Sequence, residues 1–448
     1  MNPGARIAAA IDILCGIEQG GRPADDVAAD YFRRRRYIGA KDRAQISGHL
    51  YTVLRHRAAL DWWIERVGAG SAAADARRRV FAALLLAEAW PKENIIAACD
   101  GDRFRPPPLT AGEHRLVAAL SGRSLHHPAM PRAVANDVPQ WLLPHLERVF
   151  DEDLAREMAA LNASAPIDLR VNLLKADRDR AWQALAAEGI AVVPTALSPV
   201  GLRLAKRAPL SRLAAFRDGL VEVQDEGSQI AALLADARPG MRVVDFCAGA
   251  GGKTLALAAG MANRGKLVAC DVAAYRLERA GRRLRRAGVA NVERRVLASE
   301  HDKWVKRHAQ GFDRVFVDAP CLGTGTWRRN PDAKWRMQAR DLAELRPRQQ
   351  NILASAARLV RPGGRLVYVT CSLLREENEE QAEAFLAGHP DFAIVPVRHA
   401  WAQTIGGNAP AAGDYLRLTP ARHGTDGFFV AIFARIGQNS RDPRDPSR

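Results

Sequence analysis

Two cysteines in this chain stand where thiol chemistry would want them. Cys321 closes Phe316-Val317-Asp318-Ala319-Pro320-Cys321, and Cys371 closes Val367-Tyr368-Val369-Thr370-Cys371 just before Ser372, each at the end of an apolar, strand-like run. Upstream lies a glycine-rich turn, Asp245-Phe246-Cys247-Ala248-Gly249-Ala250-Gly251-Gly252-Lys253-Thr254. Its glycines let backbone N–H groups approach a ligand closely at a helix N-terminus. The register excludes a P-loop, which needs glycine where Cys247 stands, and a dinucleotide fingerprint would want glycine at Thr254. Asp271 ends the next apolar run about 20 residues on, the place from which a carboxylate grips a ribose diol. S-adenosylmethionine, with an adenosine and no pyrophosphate, fits this combination.

In a doubly wound sheet, ligands sit beyond the carboxyl ends of the strands. The runs ending at Asp318 and Thr370 are expected to be neighbouring strands about 5 Å apart. Both thiols and the Asp318 carboxyl would then face the same cleft as the glycine turn, with Pro320 stiffening the turn that presents Cys321. A reaction that wants these parts is methylation of a cytosine at carbon 5, too poor a nucleophile to take a methyl group unaided. A thiolate adding at carbon 6 makes carbon 5 enamine-like, and an acid at ring nitrogen 3 favours the addition. A base must then remove the carbon 5 proton so that the thiol can leave. Cys321, Cys371 and Asp318 are that minimum set, and the residues alone do not say which thiol attacks. Cys15, Cys99 and Cys270 read as ordinary buried cysteines.

Three regions must position these groups. Residues 1–130 read as almost wholly helical, with Ile7, Ala10, Ile11, Leu14 and Ile17 on one face at the 3.6-residue period. The run Arg33 to Arg36 and further arginines mark it as a helical RNA-binding module, and the proline-bearing stretch Ser124–Arg132 as the linker out of it. Residues 135–235 open with amphipathic helices and continue as β-α-β-β. The elements are a strand over Ile167–Asn172, a helix over 177–188 and strands near 190–204, making a small α+β (RRM-like) subdomain. The segment Gly219–Ser228 leads from it into a helix. Residues 236–435 alternate strand and helix, the pattern of a parallel sheet covered on both faces. Strands are expected at Arg242–Phe246, Lys266–Cys270, Arg314–Val317, Arg365–Thr370 after a Pro362-Gly363-Gly364 turn, and Phe428–Phe433. The intervening helix turns Leu277, Ala280, Leu284 and Ala287 to the sheet. The polar tail, 436–448, reads as disordered.

Composition narrows the partner. In 448 residues, Lys plus Arg number 66 against 50 for Asp plus Glu, a net charge of +16. Arginine suits forked contacts to phosphate and stacking on bases, so a polyanion, RNA ahead of a membrane surface, is expected. Several arginines between Asp271 and Arg307 are open to two readings, a solvated helix face or an RNA track. No apolar run approaches the length of a membrane span, and six irregularly spaced cysteines suit a reducing cytoplasm better than a disulfide framework. No metal site is expected, and a monomer is.

The motifs, taken together, resemble the RsmB/Sun group of RNA 5-methylcytosine methyltransferases over about residues 4–435. The marks are Arg170-Val171-Asn172, Gln224 to Ser228, the glycine turn, Asp318 to Cys321 with Gly323 and Gly325, Arg329 to Asp332, Thr370-Cys371-Ser372 and Gly424 to Phe429. In the helical region, Lys41-Asp42-Arg43 and Leu54-Arg55 resemble NusB-like domains. The resemblance implies a multidomain chain: an all-α NusB-like domain, a small α+β subdomain and a Rossmann-like S-adenosylmethionine-dependent methyltransferase domain. It implies Cys371 as nucleophile, Cys321 as the residue that assists release, and Asp318 in the active site. It also implies cofactor contacts from Cys247, Ala248, Gly249, Ala250, Gly251, Gly252, Lys253, Asp271 and Asp318. Ribosomal RNA, of the small subunit, is the implied substrate, with transfer RNA as the alternative. Two departures stand out. Gly249 and Ala250 replace the family's Ala-Pro in the turn, and Ser299 occupies the place of an aspartate on the adenine side of the cofactor, with Asp302 three residues on. An amino-group methyltransferase would instead show an Asn/Asp-Pro-Pro-Tyr turn in place of Asp318 to Cys321. A non-catalytic RNA-binding assembly factor would have no use for both thiols.

Overall fold

The computed structural model describes residues 1–67, 75–411 and 413–437, so the expected disordered tail lies, from 438 on, outside the described residues. The chain packs as two compact units. One comprises Met1–Ala163 together with Trp327–Ala339, the other Ser164–Thr326 and the chain from Arg340 onward.

The first unit is helical. Helix Pro3–Gly20 buries Ile7, Ala10, Leu14 and Ile17 on the face marked by the 3.6-residue spacing, while Ile11 is only partly covered. Helix Ala76–Leu86 is buried nearly all round, which makes it the centre of the bundle. Its one buried cation, Arg79, is satisfied by Asp61 at 2.7 Å and Glu18 at 2.6 Å. Helix Ala111–Leu120 starts in a capping box between Thr110 and Glu113. The stretch 124–132 is not a free linker. Leu125 and Met130 belong to the helical core, and Trp63 Nε1 donates to the Leu125 carbonyl at 2.9 Å. Prolines there prevent helix, but a non-helical segment can still be buried once its backbone groups have partners.

The segment 327–339 lies 164 residues beyond the end of the unit's first stretch, Met1–Ala163, yet supplies interior side chains to the same unit. Trp327 is fully buried, and Lys334 is 1% exposed. Lys334 Nζ donates to the carbonyls of Arg55 (3.2 Å) and Asp137 (3.1 Å) and to Asn162 Oδ1 (2.6 Å). Burial pulls its pKa down to about 8.

The second unit holds two sheets. β1 (Asp168–Val171), β2 (Val192–Pro194), β3 (Gly201–Leu204) and β4 (Val221–Val223) form an antiparallel sheet in the order β2-β3-β1-β4, with helix Arg178–Ala187 between β1 and β2. The sequence reading missed β4, whose Val223 pairs with Leu169, because three residues are too few for an alternation to register.

The larger sheet contains β5 (Arg242–Asp245), β6 (Lys266–Asp271), β7 (Val292–Val296), β8 (Phe312–Asp318), β9 (Val360–Thr370), β10 (Phe392–Ile394), β11 (Leu416–Leu418) and β12 (Phe428–Arg435). Its order is β10-β12-β9-β8-β5-β6-β7, with β11 alongside β12. The five strands from β9 to β7 run parallel, and β12 is antiparallel to β9. The central strands read as unbroken apolar runs because helices cover both faces. Helix Ala274–Ala287 does so with Leu277, Ala280, Leu284 and Ala287, and ends on Gly288 in a left-handed cap. One strand begins earlier than expected. β9 starts at Val360 and carries Pro362-Gly363-Gly364 inside it, where its pairing with β8 shifts register. Among the described residues no helix is long and apolar enough to cross a membrane.

Candidate active site

β8 and β9 pair in parallel with Asp318 opposite Val369, so the turns that follow them emerge side by side. The two thiols they carry meet. Cys321 Sγ lies 3.5 Å from Cys371 Sγ, and both cysteines are free and partly exposed. The loop after Cys321 returns to the second cysteine, since the Gly325 N–H donates to the Cys371 carbonyl at 2.9 Å. Gly325 is required there: a Cβ would sit 2.4 Å from the carbonyl oxygen of Gly427.

The Cys321 thiol is pushed well above its usual range. The hydrogen bond with Cys371 contributes most, then burial, then the electrostatic influence of Cys371 and of Glu377. Cys321 therefore holds its proton more tightly than a free thiol does.

Asp318 is engaged by Lys253, whose Nζ lies 2.7 Å from Oδ2. Burial works against the lysine's charge, but Asp318, with smaller help from Cys371 and Asp245, outweighs it and raises the Lys253 pKa. Lys253 thus stays an ammonium ion against the Asp318 carboxylate. The sequence had placed this lysine only with the cofactor.

The glycine turn joins β5 to helix Gly252–Gly260. Gly251 takes φ +79°, and a Cβ on it would press 2.9 Å from the Ala280 Cβ of the neighbouring helix. Only glycine suits that combination. Asp271 holds the turn from the next strand, accepting the Gly249 N–H with one oxygen and the Ala273 N–H with the other, both at 2.8 Å. Beside these groups opens a cavity of about 350 Å³, within the range of about 300–1,000 Å³ usual for cofactor pockets. Cys247, Ala248, Gly249, Ala250, Gly252, Lys253, Asp271 and Asp318 all line it. Gly251 does not, serving the turn instead, and Cys321 and Cys371 also lie off its wall, which Pro320 reaches.

Neither Ser299 nor Asp302 faces the cavity; Leu297 and Glu300 do. Asp302 is spent on local structure, accepting the Ala298 and Trp304 N–H groups at 2.9 and 2.8 Å, which lowers its pKa. Gln224 and Ser228 also line the cavity, joined by a 2.9 Å hydrogen bond. Buried Arg170 reaches from β1 to Gln224 and, at 2.8 Å, to the Gly252 carbonyl. The two sheets are thereby joined at the glycine turn. Of the arginines read as a possible RNA track, Arg283 donates to the Ala250 carbonyl at 2.8 Å and Arg286 to Glu222 at 2.6 Å. Both brace this turn and β4, while Arg282 is exposed. Among the described residues no cluster of three or more His, Cys, Asp or Glu could hold a metal.

Asp245 is the strained member. It is 1% exposed, accepts the Thr254 hydroxyl at 2.7 Å with one oxygen, and leaves the other buried without a partner. Burial raises its pKa to about 7. Between its unfolded value, about 4, and 7 the folded protein binds the extra proton, so stability falls as pH rises through that window. Asp245→Asn keeps an acceptor for Thr254 and removes the charge. Thermal melts should show the variant more stable than wild type at pH 8, with the gain shrinking toward pH 4. A gain that does not change with pH would contradict this origin.

The family models and the curated relatives agree on one family. A model described as 16S rRNA methyltransferase RsmB/F matches residues 232–434, and one for the RsmF/B-like ferredoxin-like domain matches residues 138–211. The probable ribosomal RNA small subunit methyltransferase B of Synechocystis is 30% identical over 423 residues, 91% of this chain and 94% of that protein. The ribosomal RNA small subunit methyltransferase B of Xylella fastidiosa is 36% identical, covering 87% of this chain and 91% of its own length. Among solved structures, a protein designated PH0851 superposes with a TM-score of 0.78 at 27% identity, covering 97% of this chain and 99% of that one. A methyltransferase homolog from Pyrococcus horikoshii gives 0.60 at 27% identity, over 69% of this chain and all of its own.

Proposed function

We propose roles for individual residues from the premise that this chain belongs to the RsmB/F family of 16S rRNA methyltransferases. Its activity is S-adenosylmethionine-dependent methylation of carbon 5 of a cytosine in ribosomal RNA, and the finer statement we add is that the RNA is that of the small subunit. The observation that carries the division of labour is the thiol pair, 3.5 Å apart beside the Lys253–Asp318 ion pair.

S-adenosylmethionine supplies a methyl group on a sulfonium, ready for transfer to a carbon nucleophile. The cavity suits it in size, with the glycine turn and Asp271 as its walls and Asp271 as the group for the ribose. Cys371 is the nucleophile. The Cys321 thiol resists ionisation, which suits it to a later proton step rather than to attack. As the Cys371 thiolate bonds to carbon 6, the Lys253 ammonium passes a proton through the Asp318 carboxylate to ring nitrogen 3. Carbon 5 is then nucleophilic and takes the methyl group. With Cys371 now a thioether, the hydrogen bond and charge that held the proton on Cys321 are gone. Cys321 gives that proton to water and as a thiolate takes the proton of carbon 5. The carbon 6–sulfur bond breaks, nitrogen 3 returns its proton to the Lys253–Asp318 pair, and one proton is released per methyl transferred.

The helical unit, with its exposed Arg33, Arg34 and Arg36, supplies RNA affinity in this reading. The enzyme works as a monomer in the cytoplasm. Bisulfite sequencing of total RNA with and without the gene tests the substrate: a single small-subunit cytosine should lose protection when the gene is removed. Loss confined to transfer RNA would overturn the choice.

A further inference from the structure

The chemistry above leaves unused a buried polar pair just past Cys371. Glu377 and Asn378 are both 0% exposed. Their side chains run to different places. Glu377 Oε1 accepts the Leu322 N–H at 3.0 Å and Gln349 Nε2 at 3.0 Å, and that amide also donates to the Pro320 carbonyl at 2.9 Å. The residues on either side of Cys321 are thus held from one carboxylate. Asn378 Nδ2 donates to the Ser372 carbonyl at 2.9 Å, and its Oδ1 accepts the Thr370 hydroxyl at 2.5 Å. Thr370 Oγ1 in turn receives the Ser372 N–H at 3.2 Å. The residues on either side of Cys371 are thus held from one amide. The Tyr368 hydroxyl, from within β9, anchors the pair by donating to the Glu377 carbonyl at 2.7 Å.

A buried carboxylate with no cation beside it is an expensive brace. Burial pushes the Glu377 pKa up, against hydrogen bonds from Ser372, Leu322 and Gln349. An apolar side chain would fill the space at lower cost, but it would leave the Leu322 N–H and the Gln349 amide unpaired and the Cys321 turn unfixed.

We propose that Glu377 and Asn378 are positioning residues with separate targets, Glu377 setting Cys321 for product release and Asn378 setting Cys371 for attack on carbon 6. The proposal rests on the thiol roles given above. Two successive residues fix the backbones beside the two cysteines and so keep the thiols in register.

The test is steady-state kinetics and single-turnover methylation with denaturing gels, using full-length protein and small-subunit RNA. Glu377→Ala should lower kcat by about 10²-fold, the cost of a misplacement near 1 Å, with a smaller change in KM, and should accumulate a covalent RNA–protein complex as Cys321→Ala does. Glu377→Gln, which keeps an acceptor for Leu322, should restore turnover to within about 5-fold of wild type, since hydrogen-bond geometry rather than charge does the work. Asn378→Asp, which cannot donate to the Ser372 carbonyl, should slow formation of the complex and accumulate none. S-adenosylhomocysteine should bind all three like wild type, which shows that the fold is kept. A Glu377→Ala enzyme that binds S-adenosylhomocysteine but loses activity without accumulating complex, or an Asn378→Asp enzyme that accumulates it, overturns the assignment. If Glu377→Ala does not fold, Gln349→Leu, which frees the Pro320 carbonyl from the adjoining helix, must accumulate complex by itself, and wild-type behaviour there overturns the proposal equally. Absence of complex in the Cys321→Ala control defeats the thiol roles instead, so the two failures are told apart.

Discussion

Cys321→Ala should stall the enzyme on its own substrate, while Cys371→Ala should leave it free and inert. In the first variant the nucleophile, the Lys253–Asp318 pair and the cofactor turn all remain, so addition at carbon 6 and methyl transfer proceed once. Release fails for want of a base at carbon 5, and a protein–RNA complex stable to denaturing electrophoresis builds up in proportion to enzyme. Multiple turnover falls by more than about 10³-fold, the upper part of the range for losing a positioned proton-transfer group. In the second variant no bond to carbon 6 forms. Turnover should fall by more than about 10⁴-fold, as expected when a covalent nucleophile is removed, and no complex appears. A complex in Cys371→Ala and none in Cys321→Ala would exchange the two roles.

The second large effect concerns the ion pair. Asp318→Asn removes the carboxyl that passes a proton to nitrogen 3 and leaves the partly buried Lys253 ammonium without its main partner. Lys253→Met removes the proton source and leaves the carboxylate. Either change should lower kcat by about 10²–10⁴-fold. Cofactor affinity should fall less, because the turn itself is held by Asp271. Asp271→Ala should show the opposite balance, losing about 1.5–3 kcal/mol of cofactor affinity, the worth of a charge-assisted hydrogen bond, with a milder loss of kcat at saturation. Equal cofactor losses in Asp318→Asn and Asp271→Ala, measured by titration calorimetry, would erase this distinction.

The sequence made the catalytic sheet legible because its strands are short apolar runs ending in residues with chemistry. β6 ends at Asp271 and β8 at Asp318, and the Cys321 and Cys371 turns follow neighbouring strands. The three-part architecture, all-α, small β-containing and Rossmann-like, followed from the change in hydrophobic period along the chain. What stayed hidden depends on partners distant in sequence. Glu377 meets Leu322 across 55 positions and Gln349 across 28, and nothing local distinguishes it from the other acids of Arg375 to Glu380. Lys334 sits among carbonyls contributed by Arg55 and Asp137, 279 and 197 positions away. Arg283 and Arg286 looked like candidates for phosphate because a sequence shows their charge and not Glu222 or the Ala250 carbonyl that occupy them. The substitution at Ser299 misdirected attention to Asp302, whose carboxylate caps the helix it begins, while Glu300 between them faces the cavity.

Mass mapping of the complex trapped by Cys321→Ala bears most directly on the chemistry. After nuclease and protease digestion, the peptide that carries a nucleotide should contain Cys371, and the attached cytidine should already bear its methyl group on carbon 5. A nucleotide on any other residue, or free product carrying the methyl group on the exocyclic nitrogen of cytosine, would contradict it.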